Sequence, residues 1–384
     1  MKKLLSVLLC MALAFTAVSI TAFAAPTPIA KVGNVECYTI AEAVAMVEDG
    51  GTIELLAGEI TDEIATGRID KSFTIVGAAD YATVVTKGIK IGTDNSSWPI
   101  QECTVTVKGI TFKNSGVGVM DVRNVIVEDN KFENITESVA AVYVLDPSTD
   151  AAESNVVIKN NEIDTAQQGI RVRTGYNVEI TGNTVKNTHH NAITLEHASK
   201  WPANKGTVTI ADNTFENWAL GGEGRVVRAA FGGADELEKE ISFSGNKMLR
   251  EEEPAEEYAK LTGVGTTAVN LEKNYWNSEA PDFETIITVE GGNTEVEVAE
   301  YYKAETMKAE DLNTYVAPPA ADEDENKEES KEEVKENNTA DTTDKKEEVK
   351  DDKNTSPKTG DNMIAVAVLA VSAAALVISA RKVK

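Results

Sequence analysis

Cysteine, histidine and positive charge are all scarce in this sequence, and each shortage removes a class of protein. Three cysteines in 384 residues cannot staple a secreted fold through a disulfide framework. Cys10 sits in an apolar N-terminal run. Cys37 and Cys103 are flanked by apolar, strand-like residues and read as buried thiols, with a bridge between the first repeats as the alternative. The three histidines, His189, His190 and His197, have no spacing that makes a metal site, so neither a metal nor another cofactor is expected. Lysine and arginine number 37 against 63 aspartate and glutamate, a formal net charge of −26. A chain of that sign does not seek DNA, RNA or an anionic membrane.

Each end carries an apolar run with its own punctuation. Lys2-Lys3, the stretch from Leu4 to Ile20 and the small-residue site Ala22-Phe23-Ala24 form a secretory signal peptide, residues 1–24, cut before Ala25. At the other end Ser356-Pro357-Lys358-Thr359-Gly360 precedes a largely apolar segment, 363–380, and the basic tail Arg381-Lys382-Val383-Lys384. As a helix that segment spans about 27 Å, near the thickness of a bilayer core, and the tail holds its end in the cytoplasm. The whole of 356–384 resembles the sorting signal of Gram-positive proteins, which a sortase cuts between Thr and Gly; Ser356 stands where the commonest version has Leu. The resemblance implies covalent attachment to peptidoglycan through Thr359, with a sortase as processing partner and the cell surface as location. The processed chain keeps 32 basic and 62 acidic residues, a net charge of −30.

Between 317 and 355 the composition changes to Asp, Glu, Lys, Asn and Thr with almost no large apolar residue. Such a segment cannot bury enough surface to offset its ordering entropy and is expected to be a disordered spacer through the wall. The remaining domain, 25–316, is long enough for a sizeable core and is visibly repetitive. Asn124–Phe132, Asn155–Ile163, Asn177–Val185, Thr207–Phe215 and Glu240–Met248 share one pattern, an alternating strand followed by Asn at 130, 161, 183, 213 and 246. Ser72–Gly77 and Thr104–Gly109 look like the same unit without the Asn. The bare spacing, 22 residues, lies between Asn161 and Asn183.

Each unit reads as strand, polar turn, strand, turn and a third strand such as Gly169–Arg173 or Ala192–Glu196. Apolar residues at every second position give each strand one inward face. A unit this short closes no core alone, but copies stacked at about 4.8 Å pair every strand with its neighbour. The expectation is an all-β fold: a right-handed parallel β-helix of about eight to nine rungs, monomeric, with the Asn residues stacked as an amide ladder and supplying the left-handed backbone of the corner. Thr39-Ile40-Ala41-Glu42 is a capping box opening a helix with Ile40, Ala43, Val44 and Val47 on one side, suited to plug the first rung. This opening, with Gly50-Gly51-Thr52-Ile53 and Lys71–Gly77 after it, resembles the pectin-lyase-like β-helix superfamily. Asn274-Tyr275-Trp276-Asn277 resembles the Asn-Tyr-Trp-Gly element that closes such helices in bacterial surface proteins. The superfamily holds lyases, hydrolases, epimerases and adhesins, so the resemblance implies a fold more than an activity.

Registering Ile170 on Ile193 and Val227 places Tyr143, Arg171, Thr194 and Arg228 in one outward column and Leu145, Arg173, Glu196 and Ala230 in the next. His189, His190, His197, Trp201 and Arg225 lie beside them in sequence. Arginine forks match carboxylate or sulfate and aromatic rings stack on sugar faces, so Tyr143, Arg171, Arg173, His189, His190, Glu196, His197 and Arg228 are expected to bind an anionic glycan or a host or neighbouring-cell surface. A ladder in which Glu196 pairs with Arg173 only to neutralise adjacent rungs is the plainer alternative. The enzymatic alternative is a wall-anchored polysaccharide lyase or glycoside hydrolase, with Arg171, Arg173 and Glu196 as its candidates and Asp146 or Asp121 as a second carboxylate.

Overall fold

Alternation in sequence becomes alternation in burial. In Gln101–Lys108 the residues Gln101, Cys103, Val105 and Val107 point inward, and in Asn155–Lys159 Val156 and Ile158 do. Parallel pairing then aligns equivalent positions, so that Val105, Val125, Val156, Val178, Val208, Ile241 and Val269 form one continuous buried column. The computed structural model describes residues 27–93, 100–145, 154–173, 177–197, 205–231, 238–251, 257–262, 269–290 and 296–316. The chain separates into units 1–319 and 320–384, and all described residues lie in the first. The signal peptide, the spacer and the sorting signal expected from sequence lie outside them. Among the described residues no helix is long and apolar enough to cross a membrane.

Three parallel sheets run the length of the domain, and every third strand joins the same sheet. The architecture is the expected all-β parallel β-helix, with nine three-stranded rungs and a two-stranded tenth among the described residues. The second sheet contributes the column Val85, Phe112, Phe132, Ile163, Val185, Phe215, Met248 and Trp276, in which the Phe112 and Phe132 rings stack 4.8 Å apart. The third contributes Ile89, Val117, Val142, Ile170, Ile193, Val227 and Ala259, as the registration of Ile170 on Ile193 and Val227 requires. Each buried Val, Ile or Phe stabilises by about 1.5–3 kcal/mol, and each column shields its neighbours.

From the third rung to the eighth the corner between the first and second sheets is two residues long, whereas in the second rung it is 77–82. The two-residue corners are Gly109-Ile110, Asp129-Asn130, Asn160-Asn161, Gly182-Asn183, Asp212-Asn213 and Gly245-Asn246 in successive rungs. The Asn ladder is present and runs one member further than expected, to Asn274. Each ladder amide donates to a carbonyl of the rung before and accepts from the backbone N–H of the equivalent corner residue there, Ile110 for Asn130 and a ladder Asn thereafter, as Asn183 does with Ile158 O at 2.9 Å and Asn161 N at 2.9 Å. The left-handed backbone belongs to the residue before it, Asp129, Asn160, Gly182, Asp212, Gly245 or Lys273, and not to the ladder Asn as the sequence suggested. The division follows from geometry: the left-handed residue turns the chain, and the next side chain then points inward where only an amide satisfies both donor and acceptor. The corner from the third sheet back to the first is quite different in length, with connections 93–100, 146–154, 174–176, 198–204 and 232–237.

The N-terminal cap is the expected helix, Ile40–Met46, with both halves of the Thr39/Glu42 box formed and Ile40, Ala43, Val44 and Val47 buried. An antiparallel hairpin, Ala30–Val32 with Val35–Cys37, covers the first edge of the first sheet. Trp276 is buried, but Asn274–Asn277 does not close the helix. A further rung follows, and the antiparallel strand Leu312–Thr314 seals the second sheet against Glu300–Tyr302. Phe283 and Tyr301 meet edge to face there at 5.6 Å. Cys37 and Cys103 are free and buried.

Candidate functional site

The third sheet turns one outward column toward solvent: Lys90, Gly118, Tyr143, Arg171, Thr194, Arg228 and Lys260, at successive rungs. Rungs stand about 4.8 Å apart, so side chains two rungs apart still reach one another when they are long. Around Glu196 they do. Arg171 donates to Glu196 Oε2 from Nε and Nη2 at 3.3 and 2.7 Å. Arg173 Nε lies 3.0 Å from the same oxygen, and Arg228 Nη1 reaches Oε1 at 3.5 Å. Tyr143 completes the group, its hydroxyl accepting from Arg173 Nη1 at 3.4 Å and its ring centre 5.8 Å from the Arg171 guanidinium.

The two readings of this group differ in the charge balance they require. A self-neutralising ladder needs equal numbers, whereas among the described residues three guanidiniums gather on the one carboxylate of Glu196, in a chain whose net charge is −26. Partly exposed ion pairs of this kind contribute about 0–1 kcal/mol each, so the cluster is poorly explained as a support for the fold. Its geometry is what an anion would meet: Glu196 holds the guanidiniums in place from the inside, and Arg228, with 42% of its side chain exposed, is the most open of the three. Bidentate forks of this type favour carboxylate, sulfate or phosphate.

Other expected members lie apart. Thr194 occupies the outward column yet is 1% exposed, because its hydroxyl donates to Gln168 Oε1 at 2.7 Å and accepts from Asn191 Nδ2 at 3.1 Å. Leu145 is buried as well. His189 and His190 sit at the preceding corner, where their rings meet edge-on at 4.8 Å and the 219–224 segment folds over them. A side chain on Gly221 would come within 2.3 Å of His189 Nδ1, and His190 Nδ1 lies 3.3 Å from Glu223 O. The backbone of His197 pairs with Phe231 in the third sheet, while Trp201 and Asp146 lie outside the described residues. Asp121 is fully buried at a left-handed corner, accepting Gln101 through its carbonyl, and is no partner for Glu196 on the outer face. No group of three or more metal-ligating side chains occurs among the described residues.

One pair escaped the sequence. Arg225 Nε lies 3.0 Å from Glu257 Oε1, with each side chain 15% exposed. Burial raises the proton affinity of Glu257, but its own backbone N–H and the Arg225 guanidinium outweigh that and hold the carboxyl below the usual range. Registering Val227 on Ala259 would have brought the two together.

Residues 86–215 match the family model described as the right handed beta helix region. That span takes in Tyr143, Arg171, Arg173, His189, His190, Glu196 and His197 and ends before Arg228. No curated protein and no solved structure matches the chain.

Proposed function

We propose that this is a secreted protein, attached through Thr359 to the peptidoglycan of a Gram-positive cell by a sortase, whose β-helix binds an acidic glycan of a host, a neighbouring cell or the surroundings. The observation that carries the binding reading is the arginine cluster itself: Arg171, Arg173 and Arg228 converge on the one carboxylate of Glu196 on an outward strand face. The attachment reading rests on the order of Ser356-Pro357-Lys358-Thr359-Gly360, apolar segment and basic tail. The enzymatic alternative has less support. Both oxygens of Glu196 are committed to arginine contacts, which leaves it poorly placed to give or take a proton, and Asp121 is buried elsewhere.

The binding reading is tested with an array of acidic and neutral glycans, read by retained ligand and then by mass spectrometry for cleavage. Arg171→Ala with Arg173→Ala is expected to abolish retention of acidic glycans; unchanged retention overturns the assignment, and shortened or unsaturated products replace it with the enzymatic one. For attachment, Thr359→Ala is expected to move the protein from the wall fraction to membrane or medium. A Thr359→Ala protein that stays covalently wall-linked refutes the sorting signal.

A further inference from the structure

Next to the arginine cluster the same sheet face opens into a cleft of about 360 Å³, lined by Lys87, Lys90, Met120, Val139 and Tyr143 and floored by Gly118. Gly118 is the odd residue in its column. It stands between Lys90 and Tyr143, both long, inside the strand Val117–Met120. Its backbone does not need glycine, since its φ is not positive. Its packing does not need glycine either: a Cβ there would meet nothing nearer than Met120 Cε at 3.9 Å and Ile89 O at 4.0 Å. Gly116, two residues earlier, differs on this point, because a Cβ there would lie 2.0 Å from Ala141 O. Glycine within a strand weakens it by roughly 0.5–1 kcal/mol and, where the fold does not demand it, marks a place that something approaches closely.

The chemistry of the walls says what approaches. Met120, Val139 and the Tyr143 ring give an apolar floor and side, and Val139 is 51% exposed although its neighbours in the wall are not all polar. Around them stand the Lys87–Glu137 pair at 3.3 Å, the Lys90–Glu63 pair at 3.0 Å and the Ser115 and Ser138 hydroxyls, 2.7 Å from each other. An apolar bed with an aromatic side and a hydrogen-bonding rim complements a sugar ring, which has an apolar C–H face edged by hydroxyls. Tyr143 is shared: Arg171 lies against its ring from the next rung, and the cleft lies on the side of the preceding one. About 9.6 Å, two rungs, separates the Gly118 and Arg171 backbones along the stack, which is within the reach of one sugar and the acidic group attached to it or to its neighbour.

We propose that the cleft over Gly118 is a saccharide subsite in which one sugar ring packs on Tyr143 while an acidic substituent of the same oligosaccharide is held by Arg171 and Arg173. This deepens the binding reading given above and rests on it. The test is titration calorimetry of the purified protein with tetragalacturonate, a hyaluronan tetrasaccharide and a sulfated chondroitin tetrasaccharide, with cellotetraose as a neutral probe. Gly118→Val fills the floor with a residue that strands favour, and is expected to lower affinity for the bound acidic probe at least tenfold while the thermal midpoint stays or rises. Val139→Glu, on the exposed wall, blocks the same space without touching the floor and is expected to lower it likewise. If both variants bind as the parent does while the Arg171→Ala, Arg173→Ala variant has lost binding, the subsite is wrong and the arginine reading stands. If the parent binds none of the acidic probes, both readings fall together.

Discussion

Replacing Asn183 by alanine removes five hydrogen bonds at once and measures what holds the rungs together. Its Nδ2 donates to Ile158 O at 2.9 Å, Thr181 O at 3.2 Å and Asn213 Oδ1 at 3.0 Å, and its Oδ1 accepts from the N and Nδ2 of Asn161 at 2.9 and 3.0 Å. The side chain is 1% exposed, so water does not replace these partners. Two groups lose the amide that satisfies them, the N–H of Asn161 and the carbonyl of Ile158; each orphan costs about 1–3 kcal/mol, giving about 2–6 kcal/mol together. Against a total stability of about 5–15 kcal/mol that is a large loss. Asn183→Asp separates donor from acceptor. It keeps an oxygen for Asn161 N but turns a carboxylate toward two carbonyls and Asn213 Oδ1, so at neutral pH it is expected to be worse than alanine. The carboxyl introduced there has a raised folded-state pKa. Its penalty is therefore small below its unfolded value, about 3.9, and grows as pH rises above it. Urea unfolding followed by circular dichroism at pH 4 and pH 7, with slopes compared, reads both effects. An alanine variant within about 0.5 kcal/mol of the parent, or an aspartate variant insensitive to pH, would refute the view that the ladder carries the corner.

Three further outcomes follow from particular residues. Four positions after the second corner residue, the chain turns left-handed at Asn114, Asn134, Thr165, Asn187 and Asn217; Thr165 alone is β-branched, so Thr165→Asn is expected to stabilise by about 1 kcal/mol, and a lower urea midpoint contradicts this. Burial raises the Cys37 thiol, and burial first, then Asp49, Asp70 and Glu102, pushes Cys103 up to about 11. Neither is expected to react with a soluble disulfide reagent at pH 8 until urea is added, and prompt labelling of the folded protein would count against it. Because Glu257 is held below the usual carboxylate range, its pairing with Arg225 stabilises fully above about pH 4.3 and fades as pH falls through the folded-state value. Glu257→Gln should thus cost more stability at pH 7 than at pH 3, and equal losses at both would disprove the coupling.

The rungs were legible because alternation and a fixed corner repeat together: Val156 and Asn161 recur as Val178 and Asn183, and a register follows from the spacing alone. The outward columns followed from the same register, which is why Tyr143, Arg171, Arg173, Glu196 and Arg228 meet as expected. What sequence left unsaid depends on depth. Thr194 has an outward position but is covered by Gln168 and Asn191, side chains that no periodicity reports. The left-handed residue was assigned one place late, since Asn suits that backbone in general and here the partner demand of the interior captured it instead. Asn274-Tyr275-Trp276-Asn277 reads as a closing element through its resemblance to Asn-Tyr-Trp-Gly, yet the chain adds another rung before Leu312–Thr314 ends the sheet.

The two kinds of corner divide the work of inheritance. Along the Asn ladder an insertion of even one residue between the first and second sheets would break the amide stack in both directions, so that stretch of the edge admits little change of length. From the third sheet back to the first the connection ranges from Asp121 alone to 146–154, and Asn155–Lys159, which follows the longest, keeps an unbroken register with its neighbours on both sides. Those variable connections leave directly from Leu145, Arg173 and His197, beside the arginine cluster. New chain can accordingly be gained or lost next to the site while the sheets beneath stay fixed. A lineage carrying this fold can reshape the surface around the arginine cluster by changing loop length, without having to invent a new core.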